Sequence, residues 1–198
     1  MFKTTTTSVT AAALASLILG LGAGSAAHAQ ATTYNIDPSH TFVTWEATHF
    51  GTSTSRGRFD KKEGSVQLDR TGKTGRVDIT IDTTSISTGL APFDKHLQSK
   101  DFFDTANHPT ARFVADRLTF DGNKVQTVTG QLTLLGKTLP LSMTAVRFNC
   151  YDHPFFKREV CGGDFEATVQ RSLWGMTYGL PGIPDNIKLL IQVEAVKQ

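Results

Sequence analysis

"IKLLIQVEAV", residues 187–196, is the stretch that decides the fold. Ile187, Leu189, Ile191, Val193 and Ala195 alternate with Lys188, Leu190, Gln192, Glu194 and Val196. A period of two places the first set on one face of a β-strand and leaves the charges on the other. The pattern recurs upstream. In "FVTWEATHF" (42–50) Val43, Trp45, Ala47 and His49 share a face, and in "RVDITID" (76–82) Val77, Ile79 and Ile81 do. Less regular strands are expected over 32–37, 53–60, 63–69, 111–121, 125–135, 138–149 and 163–173. Turn signals at 69–75, 121–123 and 135–137 separate several of them. So many short strands without helical crossovers imply an antiparallel meander. Such a sheet removes its exposed edges by closing into a barrel or folding as a sandwich. The expected fold is all-β: a closed up-and-down barrel of about eight strands.

One segment breaks the period. In "APFDKHLQS" (91–99) Pro92 suits a first helical position, Asp94 sits in the first turn, and Phe93 and Leu97 are spaced i, i+4. A short helix is therefore expected. "KDFFDTANHP" (100–109) follows as an irregular stretch in which Ser99 or Asp101 caps a further turn. Residues 90–108 thus form a short helix and lid loop in the one long connection.

The first 29 residues read as an export leader rather than as fold. Lys3 precedes an apolar run, "AAALASLILGLGAGSAA", and Ala27, His28 and Ala29 give a small-x-small cleavage pattern. No Arg-Arg pair precedes the run and no Cys follows it, which favours general secretion. The mature chain, 30–198, is expected to be one domain in the periplasm or secreted, with no integral membrane span. An outer-membrane barrel is disfavoured because the non-core faces carry Glu46, Asp78, Asp82, Lys188 and Glu194. The formal net charge is only +2, and the only adjacent basic pairs are Lys61-Lys62 and Lys157-Arg158, so nucleic acid is not an expected partner. Cys150 and Cys161 are the only cysteines, and in an exported chain such a pair reads as a disulfide.

Chemistry is harder to find. Asp94 and His96 stand i, i+2, and the remaining histidines are scattered; neither arrangement has the spacing that zinc prefers. Ser39-His40 is not a triad, and there is no nucleophile elbow, phosphate loop or dinucleotide fingerprint. The expectation is no catalytic residue, no metal and no cofactor. The aromatic content says more. Phe93, Phe102, Phe103 and Phe113 cluster around the helix, among 13 phenylalanines in all. They either line the mouth of a cavity or plug the barrel end as core. Trp45, Leu97, Phe165 and Trp174 are candidates for the same wall. Phe165, Ala167 and Val169 mark an inward face, and strict alternation puts Arg171 there too. A buried guanidinium needs an acid or an anionic ligand, and a protein carboxylate is the expected partner. Arg171, His49 and His96 are the candidate polar groups at the mouth.

At this point four stretches, "YNIDPSHTFVTWEATHFGTSTSRGRF" (34–59), "DKHLQSKDFFDTANHPTARF" (94–113), "VTGQLTLLGKTLPL" (128–141) and "RSLWGMTYGL" (171–180), resemble in order the motifs of the YceI-like family. The resemblance implies a lipocalin-like barrel. It also implies a hydrophobic small-molecule ligand, a polyisoprenoid, isoprenoid quinone or fatty lipid, bound without catalysis. Asp94, Lys95, His96 and Leu97, with Ser99, Asp101, Phe102, Phe103 and Pro109, match the block that forms the helix and loop near the barrel opening. "RSLWGM" departs from the pattern by placing Trp174 before the glycine, and the cysteine-bearing "NCYDHPFFKREVCGG" (149–163) lies outside it. Two other readings stay open: a metal-dependent or acid–base enzyme using His96, Asp101 and His108, and a stress-response module whose barrel is filled by its own side chains. A homodimer is compatible with each.

Overall fold

The structure is a computed structural model that describes residues 1–4 and 31–198, so the export leader expected at 1–29 falls largely outside the described residues. Eleven strands run in the order β1 (Thr32–Ile36), β2 (Phe42–His49), β3 (Ser53–Phe59), β4 (Lys62–Asp69), β5 (Thr74–Asp82), β6 (Ile86–Ser87), β7 (Thr110–Asp121), β8 (Lys124–Leu134), β9 (Lys137–Asp152), β10 (Glu159–Gln170) and β11 (Asn186–Lys197). A single α-helix, α1 (Ala91–Leu97), separates β6 from β7.

The expected closed antiparallel barrel is what these strands build. β11 pairs with β10 on one edge; on the other it pairs with β1 through Ala195–Lys197 and with β2 through Lys188–Gln192. β1 and β2 therefore lie end to end as one interrupted stave. β3 and β4 form a second, since β2 pairs with β3 and β1 with β4; β5 and β6 form a third. Eight staves close the ring.

The breaks have local causes. Between β1 and β2 residues 37–41 bulge outward around Asp37, which accepts from Ser39 N at 2.9 Å and Ser39 Oγ at 2.6 Å and faces His40 Nδ1 at 2.7 Å. Burial opposes ionisation of Asp37, but the His40 and Ser39 donors outweigh it and hold the carboxyl down at about 2. Ser39 and His40 do meet an acid here, yet both are turned onto one exposed carboxylate as a turn clasp. The break between β5 and β6 is a 3₁₀ turn, Thr83–Ser85, capped by Asp82. Among the described residues no ladder joins β6 to β7, and the chain from 88 to 109 covers that side.

Inward side chains form two apolar clusters. One surrounds Phe113, Val128, Leu141 and Phe165; the other surrounds Trp45, Phe59, Ile81 and Leu97. The outer wall carries cross-strand ion pairs: Arg112 with Asp78, Arg56 with Glu46, Lys188 with Glu166 and Arg147 with Asp164. This is the polar face that the alternation of β11 requires.

Two expectations need correction. First, the cysteines do not sit in a loop: β9 and β10 run farther than expected, and Cys150 stands directly opposite Cys161 in the ladder, joined by a disulfide. Beyond Thr144 the outer edge of β9 has no partner in β8, so this hairpin projects past the barrel rim. Second, the strand expected over 163–173 ends at Gln170, and Arg171–Trp174 curls into a 3₁₀ turn. Arg171 is buried as expected, but its partner is neither a carboxylate nor an open ligand space. Its guanidinium donates from Nε to Pro184 O (3.0 Å), from Nη1 to Met176 O (2.9 Å) and Tyr178 O (2.8 Å), and from Nη2 to Ile183 O (3.0 Å). Four carbonyls of one loop, 176–184, are gathered on one side chain. Burial pushes the guanidinium pKa below its ordinary value, and nearby Asp185 opposes that; Asp185 itself accepts from Ser172 N and Oγ.

Arg171→Met would leave those buried carbonyls unpaired and is expected to cost about 3–5 kcal/mol in denaturant titration. A cost below about 1 kcal/mol would show that the loop holds itself. Replacing both cysteines with serine is expected to lower stability by up to about 3 kcal/mol while near-native strand content persists by circular dichroism, because the ladder around them remains.

Candidate functional site

The interior is hollow in two connected parts. A larger cavity of about 680 Å³ lies at the end covered by α1. A smaller one of about 140 Å³ lies toward the opposite end. Val43, Ile81, Leu132 and Leu189 line both, and so form a waist between them. The larger volume alone falls within the ~300–1,000 Å³ of ordinary small-molecule sites, and the long axis follows the barrel.

The lid is built from its sequence as expected. Pro92 stands in the first turn of α1, and Asp94 Oδ1 accepts from Thr88 N (2.7 Å) and Thr88 Oγ1 (2.6 Å), tying the helix start to the end of β6. The i, i+4 pair faces inward, with Leu97 buried and Phe93 half-buried. Aromatic edges then fix the lid to the barrel. Phe93 meets Trp45 edge to face at 6.5 Å between centroids, and Phe103 meets Phe59 at 5.4 Å. His96 and Phe102 meet Tyr178 of the 176–184 loop at 5.0 and 5.3 Å. Ser99 Oγ accepts from Asp101 N at 3.3 Å, and His96 Nε2 stands 3.2 Å from Asp101 Oδ2. The acidic, imidazole-bearing block therefore caps turns and anchors a lid.

Of the residues expected at the cavity, Trp45, His49, Phe93, His96, Leu97, Phe102, Phe103, Arg171 and Trp174 line the larger part. Phe113 and Phe165 line the smaller, so neither belongs to the mouth. Trp174 is held by Nε1 donating to Lys137 O at 3.1 Å, and to Leu132 O at 3.4 Å. His49 sits exposed at the rim. Trp45 is buried against Gly57, where a Cβ would come within 2.5 Å of the indole; only glycine leaves the ring that space. Trp45 Nε1 is buried without a hydrogen-bond partner among the described residues.

Several lining residues were not singled out from sequence: Phe50, Met176, Tyr178 and Ile183, together with Ser53 and Ser55. Four apolar side chains within the Gly- and Pro-rich "MTYGLPGIP" (176–184) were the available signal, because a solvated turn has no use for them. Polar side chains on the wall gather at the open end: His49, Ser53, Ser55, His96 and Tyr178. Arg171 is the one cation on the wall among the described residues, and its bonds to backbone carbonyls engage it. At the far end Tyr34 donates to Glu159 Oε1 at 2.5 Å, and Arg70 Nη2 holds Oε2 at 2.5 Å. Burial and then the Glu159 carboxylate push the Tyr34 phenol up to about 12, so it stays a donor.

His96, Asp101 and His108 do not converge as a metal set. The one grouping of three such side chains among the described residues is Cys150, Glu159 and Cys161, and both sulfurs are in the disulfide.

The YceI-like domain pattern matches residues 34–195. Protein YceI of Escherichia coli O157:H7 is 33% identical over 177 residues, covering 88% of this chain and 92% of that protein. A UPF0312 protein of Pseudomonas aeruginosa matches to the same extent. Among solved structures, the Campylobacter jejuni YceI protein aligns with a TM-score of 0.63 at 25% identity, covering 76% of this chain and 90% of that one. Burkholderia cenocepacia BcnA aligns at 0.65 and 23%, covering 81% and 99%. A polyisoprenoid binding domain from Saccharophagus degradans aligns at 0.57 and 14%, covering 84% and 99%; at those identities the last two speak for the fold alone. Pattern, relatives and barrel agree: the chain belongs to the YceI-like family.

Proposed function

We propose that the protein binds and carries a long-chain amphiphile inside the barrel without catalysing a reaction on it, and that it does so after export to the periplasm. The observation that carries this is the two-part apolar cavity under an aromatic lid. A domain of the same fold, from Saccharophagus degradans, is named as a polyisoprenoid binding domain, and a chain of that kind has the shape of this cavity. Burying a methylene contributes roughly 0.8 kcal/mol, so ten to twenty carbons give a gross of about 8–16 kcal/mol before the several kcal/mol that association and ordering cost. The tail sets affinity. A head group is left at the open end among His49, Ser53, Ser55, His96 and Tyr178, hydroxyls and imidazoles rather than lysines or a free guanidinium. A neutral oxygenated head, such as a quinone or alcohol, suits that rim better than a diphosphate. The leader and the disulfide both fit an oxidising compartment outside the cytoplasm.

Native mass spectrometry of protein purified without detergent tests the proposal. A co-purifying lipid mass is expected, or uptake of added prenyl quinone in preference to prenyl diphosphate. Protein that stays empty with both would sink it.

Two substitutions probe the geometry. Ile81→Trp at the waist is expected to shorten the longest chain retained, with short chains still bound. Gly57→Ala drives the Trp45 ring into the cavity or forces the strands apart. It is expected to cost about 1–3 kcal/mol and to weaken ligand uptake, read by thermal melting and the same mass spectra.

A further inference from the structure

The hairpin tip between β2 and β3 carries an unexplained residue. Phe50 and Gly51 have φ of 48° and 71°, and Thr52 N donates to His49 O at 2.9 Å. Two consecutive left-handed residues at the centre of the His49–Thr52 turn, within the three-residue loop 50–52, follow the type I′ pattern, whose first position favours Asn or Gly. A phenylalanine there is both conformationally disfavoured and 67% exposed. The turn alone gives no reason for it.

Its surroundings do. Phe50 N donates to Gly182 O at 3.0 Å, and the ring lies so close over Gly182 that a Cβ would overlap it. The hairpin tip is thereby joined to the 176–184 loop that Arg171 gathers, and that loop exposes Tyr178 and Leu180. Leu90 at the start of the lid and Leu173 after β10 are exposed at the same end. Of these, Phe50 and Tyr178 line the cavity itself. Charge at this end is mixed: Lys95 and Lys100 are exposed on the lid beside Asp94, Asp101 and Asp104.

We propose that the mouth end docks on a lipid bilayer, with Phe50, Tyr178 and Leu180 inserted among the head groups. This rests on the carrier reading: an apolar tail that passes from bilayer to barrel through a docked mouth never crosses water. Tyr and Phe suit the depth at which a docked rim would sit. The opposite end also exposes Phe155 and Phe156, beside Lys157 and Arg158. There His153 stacks on Phe156 at 4.1 Å and accepts from the amides of both phenylalanines, at the tip of the projecting β9–β10 hairpin and away from the mouth.

Co-sedimentation of the ligand-free mature protein with vesicles of phosphatidylethanolamine and phosphatidylglycerol is the test. The parent protein is expected to partition. Phe50→Asn is expected to weaken partitioning roughly tenfold, the factor that about 1.4 kcal/mol of lost ring transfer gives. Because Asn-Gly is the better type I′ turn, its melting temperature should equal or exceed the parent's. If it melts lower, Leu173→Ser decides, and partitioning should fall with it also. Phe155→Ser should partition like the parent. A parent that stays in the supernatant, a Phe50→Asn that partitions like the parent, or a Phe155→Ser that abolishes partitioning would each overturn the proposal. A protein that takes up prenyl quinone but ignores vesicles sinks the docking alone. One that docks through Phe50 yet takes up no chain sinks the carrier reading instead.

Discussion

The cavity exists because β11 pairs on both edges, along nearly all of one and in two stretches of the other. One edge receives β10; the other receives β1 and β2 in series. That double pairing turns a meander into a ring of eight staves and leaves only short stretches of sheet edge, at β6 and beyond Thr144 of β9, without a strand partner. It also spaces the inner faces so that side chains from opposite walls do not fill the middle. Along β11, Ile187, Leu189, Ile191, Val193 and Ala195 face this interior from one end to the other, and the cavity follows them. The same strand turns Lys188 outward to Glu166, which keeps the outer wall polar.

The three interrupted staves give the ring its asymmetry. Where β5 gives way to the two-residue β6, the outer edge of β6 has no strand partner, and α1 with the chain to 109 fills the space. The lid is therefore part of the wall. Its aromatic edges onto Trp45, Phe59 and Tyr178 replace the hydrogen bonds that a further strand would have made. Arg171 gives the facing loop its shape, because a segment with no regular structure must have its carbonyls satisfied by something. A guanidinium, with five donors in one plane, can serve four of them at once.

Much of this was legible. The alternation of β11, β2 and β5 fixed closed antiparallel architecture, and Pro92 with the Phe93–Leu97 spacing located α1. The acidic residues of the lid were readable as caps, and most cavity residues lie on faces the period of two identifies. What escaped has physical reasons. Strict alternation carried Arg171 onto a strand, but the chain leaves the ladder at Gln170, and sequence does not record where a strand stops pairing. Its carbonyl partners come from a loop without periodicity. Phe113 was grouped with the phenylalanines of the lid, although its position along β7 puts it past the waist; depth in a barrel depends on strand tilt and stagger, which no single strand encodes. The β9–β10 hairpin runs long because the ladder continues through the cysteines to Glu159 and Asp152.

The far end of the cavity has one more implication. Tyr34, Leu68, Val125 and Cys161 there are all buried, with the Tyr34–Glu159–Arg70 clasp above them. On the carrier reading, a guest that enters under α1 slides in like a piston, tail first toward that buried end. The pace of exchange would then be governed by how often α1 lifts, rather than by how tightly the walls grip the guest.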